Sequence, residues 1–307
     1  MDTVLSPGPI RALRRIALRV PDVAAAGDFY REVWGLTEIE NGTDVVCLRA
    51  AGPEHHVLQL RPGAQNAIDH VAFAVGSRRD VDDWTRYLPE RKVELVDEPA
   101  RLEGPGGGYG LRFRDPEGRV IELSTDVAAV PDKRDGNAPL GLTHVVLNTA
   151  DIDAASGFYT DVLGFRVSDW SEHQMVFLRC NAYHHSVAFN QGEWSSINHM
   201  AYEMPSLDAF MRGLGRLRVH GVAPLWGPGR HGPGNNTFAY VADNSGLVAE
   251  YTSEVERVDE STWVPRVWPR VPELSDLWGT AGPPSPETRR HMAGIADPGP
   301  GREAGAQ

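Results

Sequence analysis

The sequence predicts an α+β fold in which four βαβββ modules pair into two barrel-like domains. Three observations carry that expectation. First, the chain repeats itself: Asp22–Tyr30 with Val33-Trp-Gly35-Leu matches Asp151–Tyr159 with Val162-Leu-Gly164-Phe, each position 129 residues on. Second, an apolar strand pattern precedes each match and alternating strands follow it, so the two periodicities interleave in the same order twice. Third, each half divides again. Ile68–Val75 repeats the strand opening, and Ser206–Met211 repeats the helix in line with Arg79–Trp84. Modules of roughly 50 to 60 residues result, the size of such a supersecondary unit.

The elements follow from local chemistry. Asp22 and Asp151 are placed to cap helix starts, and Gly35 and Gly164 to end those helices in a left-handed turn. Downstream the offset falls to 128, with Arg112 against Tyr240 and Asp115-Pro-Glu-Gly118 against Asp243-Asn-Ser-Gly246. A single-residue indel therefore sits between His199 and His231. The first module pair is expected over residues 8–128 and the second over 140–272. The Pro-, Gly- and charge-rich stretch Val130–Pro139 reads as the joint between them. Residues 280–307 are Pro/Gly-rich with few apolar side chains and read as a disordered tail.

The bulk numbers exclude several function classes. At 307 residues the chain suffices for two ordinary domains. A formal net charge of -12 argues against nucleic acid and anionic membranes as partners, because both need a basic surface. No run of about 18 apolar residues occurs, and the N-terminus lacks the basic and apolar regions of a signal peptide. Two cysteines, Cys47 and Cys180, make no disulfide framework and fit a reducing, cytoplasmic location.

Chemistry concentrates in the second half. His144 (Leu-Thr-His-Val-Val), His199 (Ile-Asn-His-Met-Ala) and Glu250 (Val-Ala-Glu-Tyr) each sit in a short apolar strand pattern. Two imidazoles and one carboxylate are the set that holds Fe(II) on one face and leaves the opposite face open. The repeat gives each a shadow: His70 for His199, Glu122 for Glu250, and Arg15 for His144. Arg15 cannot ligate, since its guanidinium stays protonated. One triad is thus complete and one broken. A lone strand histidine is more often a satisfied core residue, and a strand Glu can simply face solvent, so the metal reading rests on the three together.

Other histidines accompany the triad. His184-His185 recurs as His55-His56. Adjacent strand residues point to opposite faces, so alternation favours His185 toward a cavity and leaves His184 outside or in a loop. A non-ligand histidine there suits proton relay or stabilisation of developing charge, while its recurrence also allows a structural role in the turn. His231, in a Gly/Pro loop, leads into a strand with Tyr240, then through a turn into the Glu250 strand. That is a hairpin, which brings Tyr240 near Glu250. Core packing for Tyr240 and a surface loop for His231 are the plainer alternatives. In the first half Glu103 and Arg112 occupy their positions.

Together, His231 through Tyr240 to Glu250, the His184-His185 pair and the two ligand-strand motifs resemble the two-domain type I extradiol (catechol 2,3-) dioxygenases of the vicinal oxygen chelate superfamily. The resemblance covers about residues 8–270. It implies that His144, His199 and Glu250 bind Fe(II), with Mn(II) the alternative, and that His185 is the acid/base. It also implies that His231 and Tyr240 bind and help deprotonate a catechol whose pocket Val146 and Phe177 line. The implied reaction adds both atoms of O2 to a catechol-type aromatic and gives a muconic semialdehyde-type product. A homo-oligomer with no nucleic-acid or membrane partner is expected. The family often has Asp three residues after the loop histidine; this chain has Gly234, followed by Asn235 and Asn236. Two other readings use related folds: a metal-dependent glyoxalase-type isomerase or epimerase, which has no need of three extra polar residues around one metal, and a bleomycin-resistance-type sequestering protein, which has no need of a complete triad.

Overall fold

The structure, a computed structural model, describes residues 7–42, 45–133 and 136–298. The first half runs β1 (Ala12–Val20), α1 (Val23–Asp28), β2 (Thr37–Gly42), β3 (Val45–Arg49), β4 (Leu58–Pro62), then β5 (Ala67–Ala74), α2 (Arg78–Glu90), β6 (Leu95–Arg101), β7 (Tyr109–Arg114) and β8 (Val120–Thr125). The second half repeats it as β9 (Gly141–Thr149), α3 (Ile152–Gly157), β10 (Arg166–Ser171), β11 (Met175–Arg179), β12 (Val187–Gln191), then β13 (Ser196–Glu203), α4 (Leu207–Val219), β14 (Trp226–Arg230), β15 (Thr237–Ala242) and β16 (Val248–Ser253). Four βαβββ modules are therefore present, and the fold class is α+β. A short β17 (Arg266–Trp268), α5 (Pro272–Ser275) and α6 (Pro286–Ala293) follow.

Each half makes one sheet, ordered β2-β3-β4-β1-β5-β8-β7-β6 and β14-β15-β16-β13-β9-β12-β11-β10-β17. Within a module the first and last strands are parallel; between modules the two first strands are antiparallel and form the centre of the sheet. The helix starts are capped as their sequence indicates: Asp22 accepts from the amide of Ala25 and Asp151 from that of Ala154, both at 2.9 Å. Beyond α1 the chain widens into a turn in which Gly35 N–H bonds the carbonyl of Tyr30, and Gly35 has φ +91°. That conformation costs a side-chain-bearing residue and costs glycine little.

The halves share one hydrophobic core. Trp34 stacks on Tyr251 with ring centres 3.8 Å apart, and Phe73 and Phe113 meet Phe165 and Phe158. Cys47 and Cys180 form no disulfide. No helix among the described residues is long and apolar enough to cross a membrane.

The expected disorder of residues 280–307 is not what the structure shows over 280–298. Residues 299–307 lie outside the described residues. Apolar packing is scarce here, as the composition indicates, but backbone hydrogen bonds substitute for it. Asn148 Nδ2 donates to the carbonyls of Met292 and Ala293 at 2.8 and 3.2 Å, Thr288 Oγ1 to that of Leu225 at 2.8 Å, and Trp226 Nε1 to that of Gly282 at 2.7 Å. The segment closes one wall of the cavity described next.

Candidate metal centre

Strand register brings the triad together. In the sheet, β16, β13 and β9 are neighbours. Ala201 of β13 pairs with His144 on one side and with Glu250 on the other, and His199 pairs with Val146. Residues two apart in a strand share a face. His144, Val146 and His199 therefore look into one cavity of about 710 Å³, which also exposes Phe177, His185, His231 and Tyr240, while Glu250 is fully buried next to the two histidines. All three triad side chains are buried, and their ligand atoms lie within 4.8 Å of one another.

Orientation of the amides shows what belongs between these atoms. Asn148 Nδ2 faces carbonyls, which only accept, so its Oδ1 must accept the 3.0 Å hydrogen bond from Asn198 Nδ2. Asn198 then presents Oδ1 to His199 Nδ1 at 2.8 Å, and that nitrogen carries the proton. The neutral ring, whose pKa burial lowers, is left with a lone pair on Nε2, 3.2 Å from Glu250 Oε2. His144 Nε2 lies 3.2 Å from the same oxygen. Two lone pairs facing each other in a buried site repel unless a cation stands between them. The N,N,O donor set fits a divalent first-row metal. Asn236 steadies the carboxylate by donating to Glu250 Oε1 at 3.3 Å and to Thr252 Oγ1 at 2.8 Å. Glu250 is fully buried as well, so its carboxylate too needs a cation beside it.

The accompanying residues converge as well. His231 Nδ1 donates to the carbonyl of Ser275 at 3.0 Å, so its Nε2 accepts from the Tyr240 hydroxyl at 2.8 Å. Tyr240 pairs with Glu250 across β15 and β16, as the hairpin reading requires, and its ring meets His199 edge to face at 5.0 Å. Val146 and Phe177 pack together with Ala188 as the apolar wall. His185 stands with its ring centre 4.1 Å from that of His144. Burial first, then the neighbouring imidazoles, push its pKa well below the ordinary value, so it is neutral.

Of the His184-His185 pair, His185 lines the cavity and His184 does not. The pair lies in the turn before β12, not in a strand, so period-2 alternation does not apply. Both rings are buried, at 0% and 3% exposure, and they meet Nδ1 to Nδ1 at 3.1 Å. His184 Nε2 contacts Asp169 Oδ2 at 3.1 Å. Gly234, with φ +79°, packs over them; a Cβ there would sit 3.3 Å from His184 Nδ1 and His185 Cε1. Asn148, Asp169, Asn198 and Asn236 were not singled out by sequence reasoning. For Asn198 a signal existed: its counterpart 129 residues earlier is Asp69, which holds His70 Nδ1 at 2.9 Å.

The first half fills its corresponding site with protein cations. Arg15 binds Glu122 Oε1 closely, Arg112 binds Oε2 at 2.9 Å, and His70 Nε2 lies 3.7 Å from Oε2. Burial would raise the Glu122 pKa, and these partners bring it to about 2.

Comparison with known proteins agrees with this architecture. The model of the Glyoxalase/Bleomycin resistance protein/Dioxygenase superfamily matches residues 12–123 and again 141–251. A manganese-dependent 2,3-dihydroxybiphenyl 1,2-dioxygenase of Geobacillus genomosp. 3 is 28% identical over 279 residues, 82% of this chain and 88% of that protein. An iron-dependent extradiol dioxygenase of Rhodococcus jostii is 26% identical, covering 88% and 96%. The crystal structure of a Mn(II)-bound glyoxalase from Novosphingobium aromaticivorans superposes with a TM-score of 0.86 at 40% identity, covering 96% of this chain and 97% of that one. With both halves matched, this chain belongs to the glyoxalase/bleomycin resistance protein/dioxygenase superfamily.

Proposed function

We propose that this protein is an extradiol (meta) ring-cleaving dioxygenase that inserts both atoms of O2 into a catechol-type aromatic, giving a muconic semialdehyde-type product. The observation that carries the reading is the convergence of His185, His231 and Tyr240 on the cavity lined by His144 and His199, whose ligand atoms lie within 4.8 Å of that of Glu250. Relatives named as a 2,3-dihydroxybiphenyl 1,2-dioxygenase and an extradiol dioxygenase, matched over most of their length, support it. We assign the metal as Fe(II), with Mn(II) next, because relatives are named for each and the donor set accommodates both. A divalent cation held by His144, His199 and Glu250 would acidify the catechol hydroxyls.

The chain's own groups do the remainder. Val146 and Phe177 hold the ring against an apolar wall, and the cavity volume suits a substrate of one or two rings. The Tyr240 hydroxyl hydrogen-bonds a catechol oxygen, and His231 Nε2 behind it accepts a proton through that hydroxyl. His185, buried and neutral, is the base on the other side, and returns its proton as the product forms. The name of the Mn(II)-bound neighbour makes metal-dependent isomerisation the second reading.

Oxygen discriminates between them. The metal-free protein, loaded with Fe(II) or Mn(II) and a catechol anaerobically and then exposed to air, should consume one O2 per catechol and develop the yellow absorbance of a ring-opened product. No uptake across mono- and bicyclic catechols with either metal sinks the dioxygenase reading. Turnover of an α-keto hemithioacetal without oxygen uptake would favour the isomerase.

A further inference from the structure

A buried carboxylate and a second imidazole stand behind His185, and the reaction so far gives them no task. Asp169 is in β10, three strands from the His144 strand. Its Oδ1 accepts from the amide of Arg266 at 2.8 Å, and its Oδ2 accepts from Trp268 Nε1 at 2.6 Å and meets His184 Nε2 at 3.1 Å. Both oxygens are occupied by N–H groups, so Asp169 is an acceptor on each side. Burial raises its pKa, but these hydrogen bonds together bring it below the ordinary carboxylate value.

The direction of every bond in the chain follows. An ionised carboxylate donates nothing, so the proton between Asp169 and His184 is on His184 Nε2. In its Nε2–H tautomer His184 has a lone pair on Nδ1. The 3.1 Å contact between the two Nδ1 atoms needs one proton, and His185 Nδ1 must supply it. His185 is left with an unprotonated Nε2 on the edge of its ring away from His184, and His185 lines the cavity. Paired rings alone signify little, since His55 and His56 also meet Nδ1 to Nδ1 at 3.1 Å. The anchored carboxylate is what gives the second pair a direction.

We propose that Asp169 and His184 are positioning residues that hold His185 in the tautomer whose Nε2 is free to accept a proton from the substrate. The base role of His185 rests on the dioxygenase reading; the tautomer does not. Exchange of the two ring protons would leave His185 with Nε2–H, unable to begin as a base at all.

The tautomer is measured directly. Correlation of ring nitrogens with ring carbon-bound protons, in the full-length metal-free protein at neutral pH, should show His185 and His184 with opposite tautomers. His185 carries Nδ1–H and His184 carries Nε2–H. A protonated Nε2 on His185 overturns the proposal, whatever the protein catalyses. In the metal-loaded enzyme, D169N should lower kcat by about 10²-fold or more, with metal content kept and KM for the catechol within about 3-fold. H184N keeps an oxygen acceptor where Nδ1 stands and should retain kcat within about tenfold, whereas H184L should fall as D169N does. Equal losses in H184N and H184L would assign the pair to packing and overturn the proposal. Absence of ring cleavage in the unsubstituted protein would remove the dioxygenase reading and leave the tautomer result standing.

Discussion

At the residue scale, the metal site is set by amides as much as by its ligands. Asn198 and Asn148 fix which nitrogen of His199 faces Glu250, and Asn236 fixes which carboxylate oxygen faces the histidines. The triad was legible in sequence because its shadow 129 residues earlier marked the strand positions, while Arg15 showed which copy was broken. The supporting residues were not, because hydrogen-bond partners are chosen by register and turn geometry rather than by spacing along the chain. His184 illustrates the loss: a loop position is legible for it, but its burial against Asp169 is not. Two outcomes test the assignment. H199A should lose bound metal, while H70A should leave one metal per chain; elemental analysis after reconstitution reads both, and a metal-replete H199A protein contradicts the ligand role. R15L strips one of two guanidiniums from the buried Glu122 and should cost about 3 kcal/mol in urea unfolding. A loss under about 0.5 kcal/mol, the usual size for a surface change, would mean that Arg112 alone neutralises Glu122.

At the element scale, the module order and the first helix of each half could be read from caps and periodicity, because those depend on a few neighbouring residues. The C-terminal segment could not. Its apolar content is low, and its order comes from donors on β9, β13 and the β14 strand reaching its backbone, which composition does not record. The loop between β14 and β15 carries His231 and Asn236 to the site. Gly234 there has φ +79°, and a Cβ would come 3.0 Å from Asn236 Oδ1 as well as against both paired histidines. G234A should therefore cost about 1 kcal/mol or more in stability from the left-handed backbone alone. It should also lower turnover, since Asn236 and His185 are the groups it displaces. Wild-type turnover in a correctly folded G234A protein would show that the loop tolerates the shift and that these contacts do not limit the reaction.

At the scale of the whole molecule, the two halves depend on each other through polar as well as aromatic contacts. Arg216 of α4 reaches back to the carbonyl of Trp34 and to the Tyr251 hydroxyl at 2.8 and 2.7 Å. Tyr30 of the first half donates to Asp243 Oδ2 of the second at 2.9 Å. Asp243 also shapes the turn before the Glu250 strand, accepting from the amides of Ser245 and Leu247 at 2.8 and 2.9 Å. Burial outweighs these donors and raises its pKa to about 6. The folded protein thus holds this proton more tightly than the unfolded chain does. The sign follows from linkage: the group's contribution is most favourable below about pH 4 and declines as pH rises through about 6. In D243N the amide oxygen can still accept from the turn, and no ionisation occurs. Its stability relative to the unsubstituted protein should therefore improve between pH 5 and pH 8, by about 1 to 1.5 kcal/mol. Paired urea titrations at the two pH values read this difference and cancel the contribution of every other titrating group. A gap that does not change with pH would place the Asp243 titration outside that window, and with it the idea that the half-to-half contact is tuned by a carboxyl held near neutrality.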